Sequence, residues 1–438
     1  MLKRKNKLIF SVLVILFPII TIAQNQLSLE QAIQLGLENN FNIKFAKLDK
    51  SIAENQNEYG NAGFYPEINA NGSYSQNIEN TKLDFADGKS VNQDNAVSSN
   101  LNANLAMNWI IFDGTKMFIT KSKLEELESL SELNLQLNIN NKVAEIITTY
   151  TQIAAEQQNL EAYQSQLEIT KQRSNLSKKQ LEIGSGSALA LSKAQVDQNA
   201  DQALVTNQEV NVLRAKVKLN RLLGRNVEEE FSISDTISFT NNLSLENLMQ
   251  AVEQNPNLSM YKKEIGIAVL EKREISAQRL PKIGISGRYN YGKSESEAGF
   301  VRSNQVDGIN YGASISIPIF NGMNLNRQEQ NNRIKVEQSK LAYEETLSSI
   351  KEQILVNYKT YESNLIQIGF EQKNVILAKK NVDFAIKNYE LGGISSLELR
   401  EIQLAYLNAK QRLIDVKYLT KTAETELLRL SNQLVSGQ

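Results

Sequence analysis

The sequence predicts a mainly α-helical chain carrying amphipathic, membrane-type β-strands. It is built as a tandem copy of one unit: helix, helix, strand, strand, long helical hairpin. Three observations predict this. Two Gly-containing breaks between long helical patterns, around Gly184 and Gly392, lie 392 − 184 = 208 residues apart and each turns a hairpin. Two Leu-Ser-Leu-Glu openings, starting at Leu27 and Leu243, lie 243 − 27 = 216 residues apart. After each opening the hydrophobic period switches from 3.6 to 2 over two segments before the hairpin begins.

Composition narrows the chemistry before any element is placed. Among 438 residues there is no cysteine and no histidine. That removes disulfides, thiol nucleophiles, Ser-His-Asp triads and the usual zinc ligand sets, so no catalytic, cofactor or metal site is assigned. An enzyme built on carboxylates or lysines stays open, with no constellation to support it.

Residues 1–23 read as a secretory signal peptide: Lys3, Arg4, Lys5 and Lys7 precede an apolar run from Leu8 to Ile22, with Ala23 at the cleavage position. The run contains Pro18 and is shorter than the roughly 20 residues of a membrane span. With no cysteine after it, a lipoprotein is excluded. Removing four basic residues takes the charge from 48 − 49 = −1 to 44 − 49 = −5, which gives no support for nucleic-acid binding.

The first unit spans 24–224. Its helices occupy 27–63, with Ser28 as an N-cap, and Pro66 stands at the helix-to-strand junction, where a strand needs no ladder donor. Strands follow at 66–77 and 98–112, in which Ile68, Tyr74, Leu101, Leu105 and Trp109 alternate with asparagines and serines. The second unit, 243–430, repeats this with helices over 244–279, a proline at Pro281 and strands at 281–292 and 308–320. An antiparallel sheet on a soluble core shows the same alternation. Strand length near the 9–11 residues of a membrane strand, and Tyr74, Trp109, Tyr289, Tyr291 and Tyr311 on the apolar face, favour a bilayer. Four strands do not close a pore, so a barrel needs several copies. The polar loops from Ile78 to Val97 and from Lys293 to Gly308 then face the exterior.

Each strand pair ends in a Phe-x-Gly turn, at Gly114 and Gly322, and opens a helical hairpin over 115–223, with its tip near 184–187, or over 323–430, with its tip near 392–395. The first arm is roughly 68 residues, or about 100 Å of helix. From Tyr361 to Tyr389 apolar residues step by 4 and 3, the seam of a coiled coil, and the arm after Gly392 carries two such stripes, as a helix with a neighbour on each side requires. The segment 225–242 reads as a linker outside the main body and 431–438 as a frayed tail.

This order of elements, run twice, with the Phe-x-Gly turns, the Leu-Ser-Leu-Glu openings and the Gly-x-x-Ser tips, resembles the TolC-like outer-membrane factors (outer membrane efflux proteins). The resemblance covers the whole mature chain. It implies a homotrimer whose 12-stranded barrel in the outer membrane of a Gram-negative bacterium continues as a helical barrel across the periplasm. It also implies a periplasmic adaptor (membrane fusion) protein and an inner-membrane transporter as partners, outer-membrane lipid around the barrel, and passive export of small molecules or proteins through a gated duct. In that family acidic residues six and nine positions after the second-unit glycine ring the entrance, and Glu398 and Glu401 stand there; Tyr389 stands where a tyrosine ties the closed state. Ala190 and Ile394 replace the polar partners of that lock, so closure is expected to rest on packing more than on a Tyr–carboxylate bond. Gly184, Ser187, Gly392 and Ser395 mark the turns that meet the adaptor. The alternative is a periplasm-spanning structural or adhesive coiled-coil protein without a pore, for which the hairpins are spacers.

Overall fold

The computed structural model describes residues 26–434 apart from Ser234 and Asn241, so the segment read as a signal peptide lies outside the described residues, as do the last four of the tail. Helix α1, Leu29–Asn39, starts in a reciprocal cap: Ser28 Oγ accepts from the Gln31 amide at 3.2 Å and Gln31 Oε1 accepts from the Ser28 amide at 3.1 Å. Asn40 then ends α1 and starts α2, Phe41–Gln56. Its Oδ1 accepts from the amides of Asn42 and Ile43, while its Nδ2 donates at 2.7 Å to the carbonyl of Leu222, the last residue of α4 (Ala188–Leu222).

One asparagine thus satisfies orphan groups at two helix ends and stacks α2 on α4. The second unit repeats the joint. Asn255 caps α6, Pro256–Ala277, and donates at 2.8 Å to the carbonyl of Leu430, the last residue of α8 (Ser396–Leu430). Before it, α5 (Leu245–Gln250) continues as a short 3₁₀ turn; Ser244 sits at its N-cap without a side-chain bond.

The two stacked pairs flank a pair of 67-residue helices, α3 (Lys116–Glu182) and α7 (Asn324–Glu390), each about 100 Å long. In the hairpin half the packing order is α4, α3, α8, α7; in the other half α2 and α6 replace α4 and α8. Where the stacked helices join, α1 and α5 clamp the midpoint. There Tyr150 of α3 donates to the Leu27 carbonyl at 2.8 Å, and Tyr358 of α7 to the Leu243 carbonyl at 3.2 Å.

On α7 the seam buries Tyr361, Ile368, Val382 and Tyr389, while Gln372 and Lys379 turn to solvent. On α8 one stripe buries Leu399, Ala409, Val416 and Leu427 and the second buries Leu407 and Ile414, because α8 lies between α7 and α3.

The sheet is antiparallel in the order β1 (Glu67–Asp84), β2 (Ser90–Phe112), β3 (Lys282–Ser296), β4 (Ser303–Ser316). These strands differ from the sequence reading at their far ends. Ile78 to Val97 is not a loop: Ile78 pairs with Val97 and Leu83 with Val91, and the turn is confined to 85–89 around Gly88. Lys293 to Gly308 likewise carries β3 on to Ser296 and β4 back to Ser303. Polar side chains do not end a strand whose backbone stays paired. At the near end β4 stops at Ser316 rather than 320, because Pro318 has no amide to donate.

Two further expectations are corrected. The segment 225–242 does not lie outside the body: Gln26 bridges Ser232, the Leu27 amide donates to the Ser232 carbonyl at 2.9 Å, and Phe231 is buried with Ile146, Leu219 and Leu223. Nor is the start of the tail frayed, since Leu434 packs into that same core. Both carry an apolar residue that the α1–α3–α4 junction leaves room for, and burying it outweighs the entropy of an open linker.

Candidate functional site

Two sites follow from this frame: the sheet with its two faces, and the hairpin tips. The register aligns all four strands by polarity. Leu105 faces Ala70 on one side and Tyr289 on the other, and Trp109 faces Ile285, so one face is apolar over the near part of the sheet and turns polar beyond it, where Lys293 lies opposite Leu101 and Asp307 opposite Tyr291. The opposite face carries the row Asn71, Asn104, Asn290, with Asn71 Nδ2 donating to Asn104 Oδ1 at 3.1 Å. Trp109 Nε1 donates to the Phe64 carbonyl at 2.8 Å, an indole with an apolar body and a satisfied polar edge. Both edges of the sheet, β1 and β4, end unpaired among the described residues.

At the tips, Gly184 and Gly392 take φ of +77° and +76°, left-handed conformations that close the turns after α3 and α7. Ser187 then accepts from the Ala190 amide at 3.1 Å and Ser395 from the Glu398 amide at 3.2 Å, so both serines are N-caps of the returning helices. Glu398 lies in the first turn of α8, and Glu401 follows one turn later. Both are exposed, and neither has an ion-pair partner among the described residues.

Tyr389 is buried against Leu399 and Ala385, and its hydroxyl lies 3.1 Å from Ser177 Oγ on α3. Its hydroxyl thus has a polar partner, Ser177, and bonds no carboxylate among the described residues.

The residues that sequence reasoning missed lie just above the turns. Gln166, Thr170, Arg173 and Ser177 step by 4, 3 and 4 along α3 and are all buried, a polar stretch of a coiled-coil seam. Asp201 of α4 is 1% exposed and receives Arg400 of α8 in a bidentate pair at 2.7 and 2.8 Å, with Thr170 Oγ1 at 2.5 Å and Gln166 Nε2 at 3.4 Å. Arg173 bonds Asp197 and donates to the Ser396 carbonyl at 3.3 Å.

Three helices are therefore tied by two arginine–aspartate pairs, with the Tyr389–Ser177 contact adding the fourth. Burial by itself would raise the Asp201 carboxyl; the bonds from Arg400, Thr170 and Gln166 outweigh it and hold the group below the ordinary carboxylate range. Beside the cluster a cavity of about 130 Å³ is lined by Leu176, Ile386, Leu399, Arg173 and Gln403. The Gln403 amide is 1% exposed, and neither of its polar atoms has a partner among the described residues. The spacing of the α3 stripe and the Asp197/Asp201 pair one turn apart were the available signals.

The outer helices of the slab are open as well. On α4, Leu189, Val196, Ala203, Val210 and Val217 form an exposed stripe of period seven, and α7 carries another in Phe370, Leu377 and Phe384, continued by Leu391 just past its end. Phe41, Phe45, Leu48 and Ile52 continue the first stripe along α2.

Among families of known proteins, the one described as outer membrane efflux protein matches residues 32–225 and 247–433. The cation efflux system protein CusC of Escherichia coli O157:H7 is 22% identical over 90% of this chain and 83% of its own length. The alkaline protease secretion protein AprF of Pseudomonas aeruginosa is 22% identical over 68% of this chain, a match spanning 63% of that protein. The crystal structure of the Campylobacter jejuni CmeC outer membrane channel superposes with a TM-score of 0.77 at 15% identity, covering 92% of this chain and 85% of CmeC.

Proposed function

This chain belongs to the outer membrane efflux protein family, and we propose that it is the exit duct of a tripartite efflux pump or type I secretion system, closed at its periplasmic tip. It is a transport protein and not an enzyme. The observation that carries the reading is that the sheet and the helical slab each have two open edges. A four-stranded sheet with unpaired ends and an apolar face is a sector of a barrel, and a slab of helices with exposed apolar stripes on both outer helices is a sector of a tube.

Two copies would give 2 × 4 = 8 strands, about the number whose interior side chains fill; three give 3 × 4 = 12 and leave an aqueous lumen lined by the asparagine face. The apolar face then meets outer-membrane lipid, and the long helices cross the periplasm to an adaptor and an inner-membrane transporter, which supplies the energy. CusC and AprF carry cations and a protease in their names, which fits a duct that takes its cargo from its pump. A coiled-coil spacer has no use for a two-faced sheet.

Glu398 and Glu401 form the selectivity ring in this reading. They lie on one face of α8, and three copies concentrate six carboxylates around the axis, favouring cations and repelling anions. Tyr389 and the arginine–aspartate cluster hold the tip closed, and the turns at Gly184, Ser187, Gly392 and Ser395 meet the adaptor. Detergent-purified protein in planar bilayers is expected to conduct with cation preference, and the Glu398→Gln, Glu401→Gln double variant to lose most of that preference. Unchanged selectivity would remove both residues from the ring, and recovery as a soluble monomer would sink the duct itself.

A further inference from the structure

Beside the arginine–aspartate cluster, one polar side chain interrupts an apolar stripe. Leu399, Gln403 and Leu407 follow at four-residue steps on α8, one above the other on the same face, and all three are buried. A leucine at 403 would pack there with no polar atom to satisfy, whereas a buried amide carries two donors and an acceptor away from water. Among the described residues neither Gln403 Oε1 nor Gln403 Nε2 has a partner, and on α3 the Nε of buried Arg173 lacks one too. The other two nitrogens of that guanidinium are engaged, with Asp197 and with the Ser396 carbonyl. Buried hydrogen-bonding atoms left open on two side chains of one cavity wall are the complement of a polar group that the chain itself does not supply.

The cavity, about 130 Å³, takes its walls from three helices: Arg173 and Leu176 of α3, Ile386 and Tyr389 of α7, Leu399 and Gln403 of α8. A cavity of about 150 Å³ holds one benzene ring, so a single aromatic ring or a short alkyl chain is the right scale here. At the rim stands Glu390, exposed, without an ion-pair partner among the described residues. It is the last residue of α7, where the helix dipole adds further negative potential. The Arg173 charge is already balanced by Asp197. A ligand bearing a carboxylate would therefore be buried near an uncompensated anion, and a neutral one meets no such cost.

We propose that this cavity is a binding site for a small neutral carboxamide with an apolar body. The ligand's amide pairs with that of Gln403, donor to acceptor and acceptor to donor, and its oxygen also accepts from Arg173 Nε. Its ring or chain fills the space between Leu176, Ile386 and Leu399. Only the last torsion of the Gln403 side chain has to turn, a soft one that no partner holds.

The walls of the site belong to helices that meet at the cluster. Resting on the reading that this cluster holds the tip shut, the ligand binds the closed tip and not the open one. Its binding then favours closure by a factor of one plus the ratio of free ligand to its Kd.

Benzamide is the probe, and benzoate is the same shape carrying a charge. Saturation-transfer NMR on the detergent-purified protein is expected to show saturable binding of benzamide, with a Kd on the order of a millimolar for so small a ligand. Benzoate is expected to bind at least about tenfold more weakly. Gln403→Leu removes the amide, and Leu176→Phe fills the cavity from the opposite wall with Gln403 in place; both are expected to weaken benzamide by at least about tenfold. In planar bilayers, benzamide at about ten times its Kd is expected to lower the open-to-closed ratio of the parent about tenfold and to leave Gln403→Leu unchanged.

Binding that is equal in the parent and both variants means an adventitious additive only and overturns the site. No saturable binding up to the solubility limit of benzamide overturns it as well, with water as the occupant. Benzoate as tight as benzamide overturns the choice of a neutral amide. Variant-sensitive binding with an unchanged open-to-closed ratio overturns the link to the closed tip, whereas a parent that carries no current overturns the duct and leaves the binding result standing.

Discussion

Replacing Arg400 by leucine tests the lock at its most buried point. Asp201 is 1% exposed and, among the described residues, takes two of its hydrogen bonds from Arg400, one from Thr170 and a long one from Gln166. Arg173 does not substitute, because it is engaged with Asp197. Removing one partner of a buried ion pair strands the other charge at a cost of about 3–5 kcal/mol, which is at least a hundredfold in an equilibrium. The tip should therefore stand open far more often at pH 7, read as single-channel conductance of purified protein in bilayers.

The pH dependence gives an independent sign. In the parent the folded Asp201 value is depressed, so its stabilisation is complete above the unfolded carboxylate range and is lost as pH falls through the folded value, below about pH 4. Acid thus loosens the parent tip. In Arg400→Leu only the Thr170 and Gln166 bonds still oppose burial, so the Asp201 carboxyl rises relative to the parent and lowering pH neutralises it and tightens the tip. The double variant Asp201→Leu, Arg400→Leu leaves no stranded charge and should close nearly as well as the parent. Conductance at pH 7 equal to the parent in Arg400→Leu, or pH slopes of the same sign in both proteins, would refute the reasoning.

Other outcomes follow from the same contacts. Tyr389→Phe keeps the ring buried and loses one bond to Ser177, worth about 1 kcal/mol, so conductance should rise by less than in Arg400→Leu; a larger rise would place the lock at Tyr389 instead. Gln403→Leu removes an amide without partners among the described residues and fills part of the adjoining cavity. It should raise the heat needed to dissociate the oligomer on gels, and a drop would mean that bridging water satisfies the amide. Asn40→Leu removes the caps of α2 and the bond to the Leu222 carbonyl and should cost about 1–2 kcal/mol, with Asn255→Leu costing the same. Thermal unfolding followed by circular dichroism checks both, and unequal losses would show that the two joints are not equivalent.

Most local structure was readable from the chain, apart from the far ends of the strands, whose polar residues read as loops. Hydrophobic period separates helix from strand because side chains alternate on a pleat and wind on a helix, and this survives any tertiary arrangement. Left-handed glycines at 184 and 392, serine caps at 187 and 395, and prolines before β1 and β3 act on their own neighbours, so their roles could be read without a partner. Duplication multiplied each signal by two. What the tertiary structure alone decided are contacts between residues far apart. Arg400 meets Asp201 across 199 positions and Ser177 meets Tyr389 across 212, and nothing near Arg400 distinguishes it from an arginine on a solvated face. Asn40 lies inside the helical stretch read over 27–63, and its bond to the carbonyl of Leu222 across 182 residues exists only because α4 ends there. The linker holding Phe231 and the tail holding Leu434 looked free because the core that receives them is assembled from helices drawn from distant parts of the chain. Charge and burial at the tip are set by which helix faces which, and that is a property of the packed slab.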